Sequence, residues 1–197
     1  MKRLFTAIAL AVVATLTLAA CGSNDSPSST SSTSRTSRTS SSRFNDADVT
    51  FAQSMIPHHQ QAVQMAKLAT TNASSPAVKD LAAEIEAAQG PEIATMSGWL
   101  EDWGKDGNSG SGMSGMDMGN SMPGMMSDDD MSKLDADSGA TFDRMFLTMM
   151  IRHHTGAIEM ATTEQSDGKN ADTVALAKKI AAAQTTEIAH MKDLLES

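Results

Sequence analysis

Met55-Ile-Pro-His-His-Gln-Gln-Ala-Val-Gln-Met-Ala66 is followed, 95 residues later, by Met150-Ile-Arg-His-His-Thr-Gly-Ala-Ile-Glu-Met-Ala161. The match continues downstream at the same offset, where Gln89-Gly-Pro-Glu-Ile-Ala-Thr-Met96 aligns with Gln184-Thr-Thr-Glu-Ile-Ala-His-Met191. A fixed offset over about fifty residues indicates one structural unit used twice. Four of the five histidines of the chain lie in the two His-His pairs. We therefore expect the function to reside in these pairs.

Each copy of the repeat predicts two helices. Apolar residues recur at helical spacing from Asp46, taken as the N-cap, to about Thr71, and Ser75-Pro76 is a strong start for a second helix that ends at Gly104. In the second copy the helices run from about Asp137 or Ser138 to Gln165, and from about Asp172 to Leu195. Two hairpins that each bury one face predict an all-α fold, an antiparallel four-helix bundle with internal pseudo-twofold symmetry.

Two prolines fall inside the predicted helices of the first copy. Pro57 predicts a kink within one helix, because the second copy has Arg152 at this position with unchanged spacing. Gly90-Pro91 predicts a second interior break, and it aligns with Thr185-Thr186.

The N-terminus, residues 1–21, has the three parts of a secretory signal. The basic start Met1-Lys-Arg3 precedes an apolar run that is too short for a comfortable membrane-spanning helix. Leu18-Ala-Ala-Cys21 resembles the bacterial lipobox, and Cys21 is the only cysteine, so we expect a lipid on Cys21 rather than an ordinary cleaved signal. Residues 22–44 are rich in Ser and Thr and predict a disordered tether. The mature protein is then expected to be extracytoplasmic, anchored to a membrane without spanning it.

The remaining residues, 45–197, are expected to form one bundle domain, with hairpin one at 46–104, a Met/Gly-rich loop at 105–136 and hairpin two at 137–196. The formal net charge of −9 argues against nucleic acid as a partner and favours cations. The chain has sixteen methionines, far more than a chain of this length normally contains, and this excess calls for an explanation.

The His-His pairs share their helix faces with sulfur and carboxylate groups. Isolated pairs can be simple hydrogen-bonded core residues, but here each pair has methionines before and after it, and each is followed by a helix with an inward-facing Glu. Side chains on facing helices build the metal sites of bundles. Mixed imidazole and thioether ligation favours copper, as Cu(I) above all, with Cu(II) or Ag(I) as the other candidates. The candidate metal ligands are Met55, His58, His59, Met65, Met96, Met150, His153, His154, Met160, His190 and Met191, and Glu92 and Glu187 are expected to orient the histidines as hydrogen-bond acceptors.

The segment between the hairpins is rich in Met, Gly, Ser and Asn and has no helical or strand period. Exposed methionines in a flexible loop risk oxidation and gain no burial, so their thioethers, which suit Cu(I) or Ag(I), are the remaining physical reason for them. We predict metal capture by this loop, against a merely drifted linker, through Met113, Met116, Met118, Met122, Met125, Met126 and Met131.

Two alternatives remain open. A ferritin-like di-metal oxidase needs a Glu-x-x-His motif on each of two helices, and only Glu187 to His190 provides one, since Thr95 replaces the histidine in the first copy. A surface interaction lipoprotein without a metal is the other alternative.

The doubled pattern Met-Ile-x-His-His-x-x-Ala-(Val/Ile)-x-Met-Ala resembles a secreted bacterial family, long classed as a domain of unknown function, that includes the CopM-type copper metallochaperones. The resemblance covers about Asn45 to Leu195. It implies a ferritin-like four-helix bundle outside the cytoplasm that binds copper or silver and supports copper resistance. We predict that the protein sequesters Cu(I) or hands it to a delivery partner. The resemblance also implies that Met55, His58, His59, Met65, Met150, His153, His154 and Met160 are ligands, joined by Met96 and Met191. Many family members have no comparable methionine loop, so its role rests on chemistry alone.

Overall fold

Four long helices and one short helix make up the described part of the chain. The computed structural model describes residues 43–107 and 122–197. Its helices are α1 (Asp46–Asn72), α2 (Pro76–Asp102), α3 (Asp128–Ala136), α4 (Gly139–Asp167) and α5 (Ala171–Glu196). Within these ranges there is no strand, only an isolated bridge between Ala73 and Gly139. The predicted all-α class is confirmed. The signal segment with Cys21, the tether up to residue 42, and Met113, Met116 and Met118 lie outside the described residues.

Two helical hairpins pack together along their first helices. The main packing joins α1 to α2, α4 to α5, and α1 to α4. Met55 near the start of α1 shares a hydrophobic cluster with Ala161 near the end of α4. Met65, further along α1, shares the other cluster with Met150 of α4. The helices α1 and α4 therefore run antiparallel, and the midpoints of the two duplicated motifs meet at the centre of the bundle.

The helix boundaries follow the sequence signals closely, with two corrections. The N-cap of α1 is Asn45, whose side chain accepts a hydrogen bond from Asp48 in a capping box, so the prediction of Asp46 was wrong by one residue. Pro57 lies inside one helix, which confirms the single-helix prediction. The break expected at Gly90-Pro91 does not occur, because α2 continues through it to Asp102.

A third correction concerns the segment between the hairpins. It was predicted to be a loop as far as residue 136, but Asp128–Ala136 form α3. Ser127 accepts from the backbone N–H of Asp130 and Asp130 accepts from that of Ser127, a reciprocal capping box that begins the helix. The buried Leu134 fixes α3 to the same cluster as Phe142 and Phe146.

Two buried aspartates at equivalent positions of the repeat lock the hairpins together. Asp48 of α1 accepts hydrogen bonds from the backbone N–H groups of Lys169 and Asn170 and from the Thr173 hydroxyl, all in the other hairpin. Asp143 of α4 accepts from the N–H groups of Ser74 and Ser75 in the α1–α2 turn. Each hairpin thus supplies the carboxylate that satisfies the turn of the other.

In the described part of the chain, no helix combines the length and the hydrophobicity that a membrane span requires.

Candidate metal centre

The four histidines of the duplicated motifs are completely buried at the centre of the bundle. His58, His59, His153 and His154 all have a relative exposure of 0%. The rings of His58 and His153, which are equivalent residues of the two copies, lie against each other with their centroids 3.7 Å apart. The sequence prediction that both histidines of each pair can face inward is met by the structure.

Hydrogen bonds fix the orientation of three of the four rings. His59 Nε2 lies 3.1 Å from Glu92 Oε2, and His154 Nε2 lies 2.5 Å from Glu187 Oε2. His58 Nε2 lies 3.0 Å from the carbonyl oxygen of Pro123. Carboxylate and carbonyl oxygens accept, so in each pair the histidine donates its Nε2–H. A neutral ring that donates from Nε2 carries its free lone pair on Nδ1, and this is the electron pair that a metal ion needs.

These lone pairs find no hydrogen-bond donor within the described ranges. The Nδ1 atoms of His58, His59 and His154, and both ring nitrogens of His153, are buried without a hydrogen-bond partner. A buried polar atom left unpaired costs about 1–3 kcal/mol. The core of the bundle therefore contains five nitrogen atoms whose burial is unfavourable unless a ligand binds to them.

Burial also keeps the central rings uncharged. Desolvation lowers the pKa of His58 to about 4, against the opposing effect of the hydrogen bond to Pro123. Burial likewise holds the pKa of His153 well below its ordinary value, and the neighbouring His58 adds to this effect. Neutral imidazole is the form that binds metal ions, so both rings are in the binding form at neutral pH.

Glu92 and Glu187 take the orienting positions predicted for them. Burial alone acts to raise the pKa of Glu92, but the hydrogen bonds from His59 and Lys179 hold it below its ordinary value. Lys179 Nζ of α5 lies 3.3 Å from Glu92 Oε1. Glu92 is thus a carboxylate that fixes His59 on one side and the second hairpin on the other.

Thioethers form two symmetric sets in the two hydrophobic clusters of the bundle. In one cluster Met55 and Met96 are fully buried, and the partly buried Met160 packs against them. The other cluster contains Met150, Met191 and Met65, which are the equivalent residues of the other copy, all fully buried. Each set draws on three helices, so six of the predicted methionines lie in or against the core of the bundle.

A strap formed by residues 122–126, the end of the methionine-rich segment, crosses the histidines. Its Pro123 carbonyl takes the hydrogen bond of His58. The side-chain amide of Gln61 exchanges two hydrogen bonds with the backbone of Met126, at 2.9 and 2.7 Å. A side chain at Gly156 would overlap the backbone of Pro123, so only glycine allows this close approach. Gln61 and Gly156 occupy equivalent positions of the repeat. Gln61 holds the strap by hydrogen bonds, and Gly156 leaves room for its backbone.

Some predicted ligands do not join the buried centre. His190 is exposed on α5. Met126 is only 2% exposed and packs in the hydrophobic core, and Met131 of α3 packs partly against it, so neither is the exposed loop methionine that was expected. Met122 and Met125 lie in the strap. Sequence analysis missed Gln61, Gly156 and Pro123, although the first two stand where the copies of the motif differ.

No three His, Cys, Asp or Glu side chains in residues 43–107 and 122–197 form a group that could hold a metal ion. Methionine sulfur is a further ligand type that the duplicated motif places on the helices of both histidine pairs. Imidazole nitrogen with thioether sulfur is a ligand set for Cu(I) or Ag(I), and it is a poor set for hard cations.

Comparison with known proteins gives one family. The family model described as "Domain of unknown function (DUF305)" matches residues 48–195. A DUF305 protein of Streptomyces coelicolor, described as secreted, has a similar crystal structure, with 32% identity, a TM-score of 0.69, and coverage of 76% of this chain and 92% of that one. No functionally curated protein matches the chain.

Two further similar structures are of the protein CopM. Its Cu(II)-bound form is 33% identical, with a TM-score of 0.65, and its Cu(I)-bound form is 30% identical, with a TM-score of 0.62. In both comparisons 76% of this chain and 95% of that chain are covered.

Proposed function

This chain belongs to the DUF305 family, and we propose that it is an extracytoplasmic copper-binding protein that sequesters Cu(I) or passes it to a delivery protein. The observation that carries the proposal is the set of four fully buried histidines with ring nitrogens that have no hydrogen-bond partner among the described residues, on helices whose duplicated motifs also carry core methionines. The similarity to CopM, which has been crystallised with Cu(I), Cu(II) and Ag, supports the choice of metal.

The ligand types in the bundle favour Cu(I) over cations that prefer oxygen ligands. The imidazoles of His58 and His153 are neutral at neutral pH, and the methionines Met55, Met96 and Met160, with their equivalents in the other copy, supply soft sulfur. Glu92 and Glu187 hold His59 and His154 by Nε2 and leave Nδ1 for the ion. Orienting a ligand in this way typically contributes a factor of about 10–100 to metal affinity.

Further parts of the proposal concern the rest of the chain. We propose that the methionine-rich segment collects the ion before the bundle holds it, and that a lipid on Cys21 anchors the protein at the outer side of a membrane. The strap joins the methionine-rich segment to the bundle. It is the end of that segment, and its Pro123 carbonyl accepts the hydrogen bond of His58.

The test is a Cu(I) titration of the full chain against a competing chelator under reducing, anaerobic conditions. The variant with His58, His59, His153 and His154 all replaced by Ala is compared with His190→Ala, which removes an exposed histidine. We expect the affinity of the tightest site to fall at least 100-fold in the fourfold variant and to stay unchanged in His190→Ala. Circular dichroism checks that both variants are folded.

Equal affinities in the wild type and the fourfold variant refute the histidine site. Tight binding of Zn(II) with weak binding of Cu(I) refutes the assignment of the metal, since thioethers are not among the usual ligands of Zn(II). Turnover of oxygen by the loaded protein would instead support the oxidase alternative.

A further inference from the structure

A cleft of about 580 Å³ lies between the first half of α1 and the last half of α4, apart from the buried histidines. Phe51 of α1 and Met160 of α4 line it, and Met122 and Pro123 of the strap form its third wall. Through Pro123 the cleft reaches the residue that takes the hydrogen bond of His58. The cleft is thus an opening beside the candidate metal centre.

The cleft combines two thioethers with three carboxyl groups. Met122 and Met160 supply the sulfur, and Asp46, Glu164 and Asp167 supply the acids. No lysine or arginine is among the described residues that line it. Thioethers with negative charge nearby suit a soft cation.

Glu164 is the residue that distinguishes this cleft from an acidic surface. It is 1% exposed, and in the described part of the chain neither of its carboxyl oxygens has a hydrogen-bond partner. The Thr173 hydroxyl donates to the neighbouring Asp48 carboxylate. Burial raises the pKa of Glu164 to about 7, and the carboxylates of Asp48 and Asp167 add to this shift. A buried carboxylate beside other carboxylates is unfavourable, and a cation in the cleft would offset this cost.

The other copy of the repeat lacks these features, so they do not follow from the fold alone. Thr141, Ala69 and Asn72 stand at the positions equivalent to Asp46, Glu164 and Asp167. The core cluster around Ala69 includes Met126 of the strap and Leu134 of α3. The three acids belong to one copy only.

A second cleft, of about 610 Å³ on α4, provides a natural comparison. It also has two methionines, Met145 and Met149, but its charged residues are Arg144 and Arg152. Its charge therefore repels a cation, although its volume and sulfur content resemble those of the first cleft.

We propose that the cleft between α1 and α4 is a capture site for a soft monovalent cation, held by the thioethers of Met122 and Met160 and the carboxyl group of Glu164. The ion then moves past Pro123 to the buried imidazoles. The second step rests on the proposed function, whereas binding in the cleft does not.

The test uses the full chain labelled with ¹³C at the methionine methyl groups and titrated with Ag(I), which stands for Cu(I) without redox chemistry. Single Met→Leu variants assign the signals. We expect the Met122 and Met160 signals to shift at the first substoichiometric additions, with those of Met145 and Met149 unchanged. Early shifts confined to other methionines, with Met122 and Met160 unaffected, overturn the capture site. Shifts of Met122 and Met160 without any change at Met55, Met96, Met150 or Met191 support the capture site and contradict the buried site.

A kinetic measurement tests the role in loading. The double variant Met122→Leu/Glu164→Gln leaves every residue of the duplicated motifs in place, and Met145→Leu/Met149→Leu is the matched control. We expect transfer of Cu(I) from a chelator to the protein, followed by stopped flow, to slow at least tenfold in the first variant, and to keep the wild-type rate in the control. Equal rates in the two variants and the wild type refute the role in loading.

Discussion

His153 offers a strong test of whether the bundle gives up stability to hold a ligand. It is 0% exposed, and neither of its ring nitrogens has a hydrogen-bond partner among the described residues. Leu is of similar size and has no polar atom. We expect His153→Leu to stabilise the metal-free protein at pH 7.5 by about 1–3 kcal/mol, because the cost of burying unpaired nitrogen disappears.

The gain should grow as the pH falls. Burial holds the pKa of His153 well below its ordinary value, so the unfolded chain takes up a proton below about pH 6.5 while the folded chain does not. The wild type therefore loses stability as the pH falls from that value towards the pKa of the folded state. At pH 5 this adds up to about 2 kcal/mol to the advantage of the Leu variant.

The assay is urea unfolding of the metal-free protein at pH 7.5 and pH 5 in the presence of a chelator, with His190→Leu as the exposed control. A stability gain should be accompanied by weaker binding of Cu(I), since a nitrogen ligand is lost. If His153→Leu is less stable than the wild type at both pH values, His153 has a structural hydrogen-bonding role, and the argument from unpaired nitrogens is wrong.

Three further predictions address the strap, the interlocked hairpins and the anchor. Gly156→Ala should destabilise the protein by about 1–3 kcal/mol in thermal unfolding, because the new methyl group overlaps Pro123, whereas Gly90→Ala, with no described atom within 4 Å of the added carbon, should be neutral or stabilising. An equal effect of the two changes would contradict the close approach of the strap. Asp143→Ala should lower the free energy of unfolding in urea by about 3 kcal/mol, because it removes the acceptor of the Ser74 and Ser75 N–H groups. The control Asp80→Ala, at an exposed residue, should change this free energy little. Similar values for the two variants would argue against the interlocked hairpins. Cys21→Ser should abolish incorporation of labelled palmitate and release the protein from membranes, and continued labelling would disprove the lipid anchor.

The duplicated motif was sufficient to predict the hairpins, because a repeat at a constant offset with helical spacing leaves few other folds. Ser75-Pro76 located the start of α2 correctly, since the capping preference and the fixed φ of proline act locally. The inward direction of all four histidines could also be predicted, as it depends only on the helical period.

What the sequence did not reveal depends on contacts between residues far apart in the chain. The carboxylates of Asp48 and Asp143 satisfy turns in the opposite hairpin, and no local signal marks such partners. The strap over His58 is similar, since the carbonyl of Pro123 comes from a segment that composition alone describes as a linker. The helix α3 was missed for a different reason, because the glycines around Met122 obscured the capping box at Ser127 and Asp130. His190 stood out in the sequence as the histidine of the Glu187-x-x-His190 motif, but it is exposed on α5, whereas Met191, about 100° further around the helix, is buried.

X-ray absorption at the copper K edge of the Cu(I)-loaded full chain tests most directly whether buried imidazoles and thioethers hold the ion together. The account predicts a mixed shell of nitrogen and sulfur, with the scattering pattern of imidazole, and predicts that this pattern is lost in the variant with His58, His59, His153 and His154 replaced by Ala. A shell of sulfur alone, identical in the two proteins, would contradict the account and place the copper on methionines outside the histidine centre.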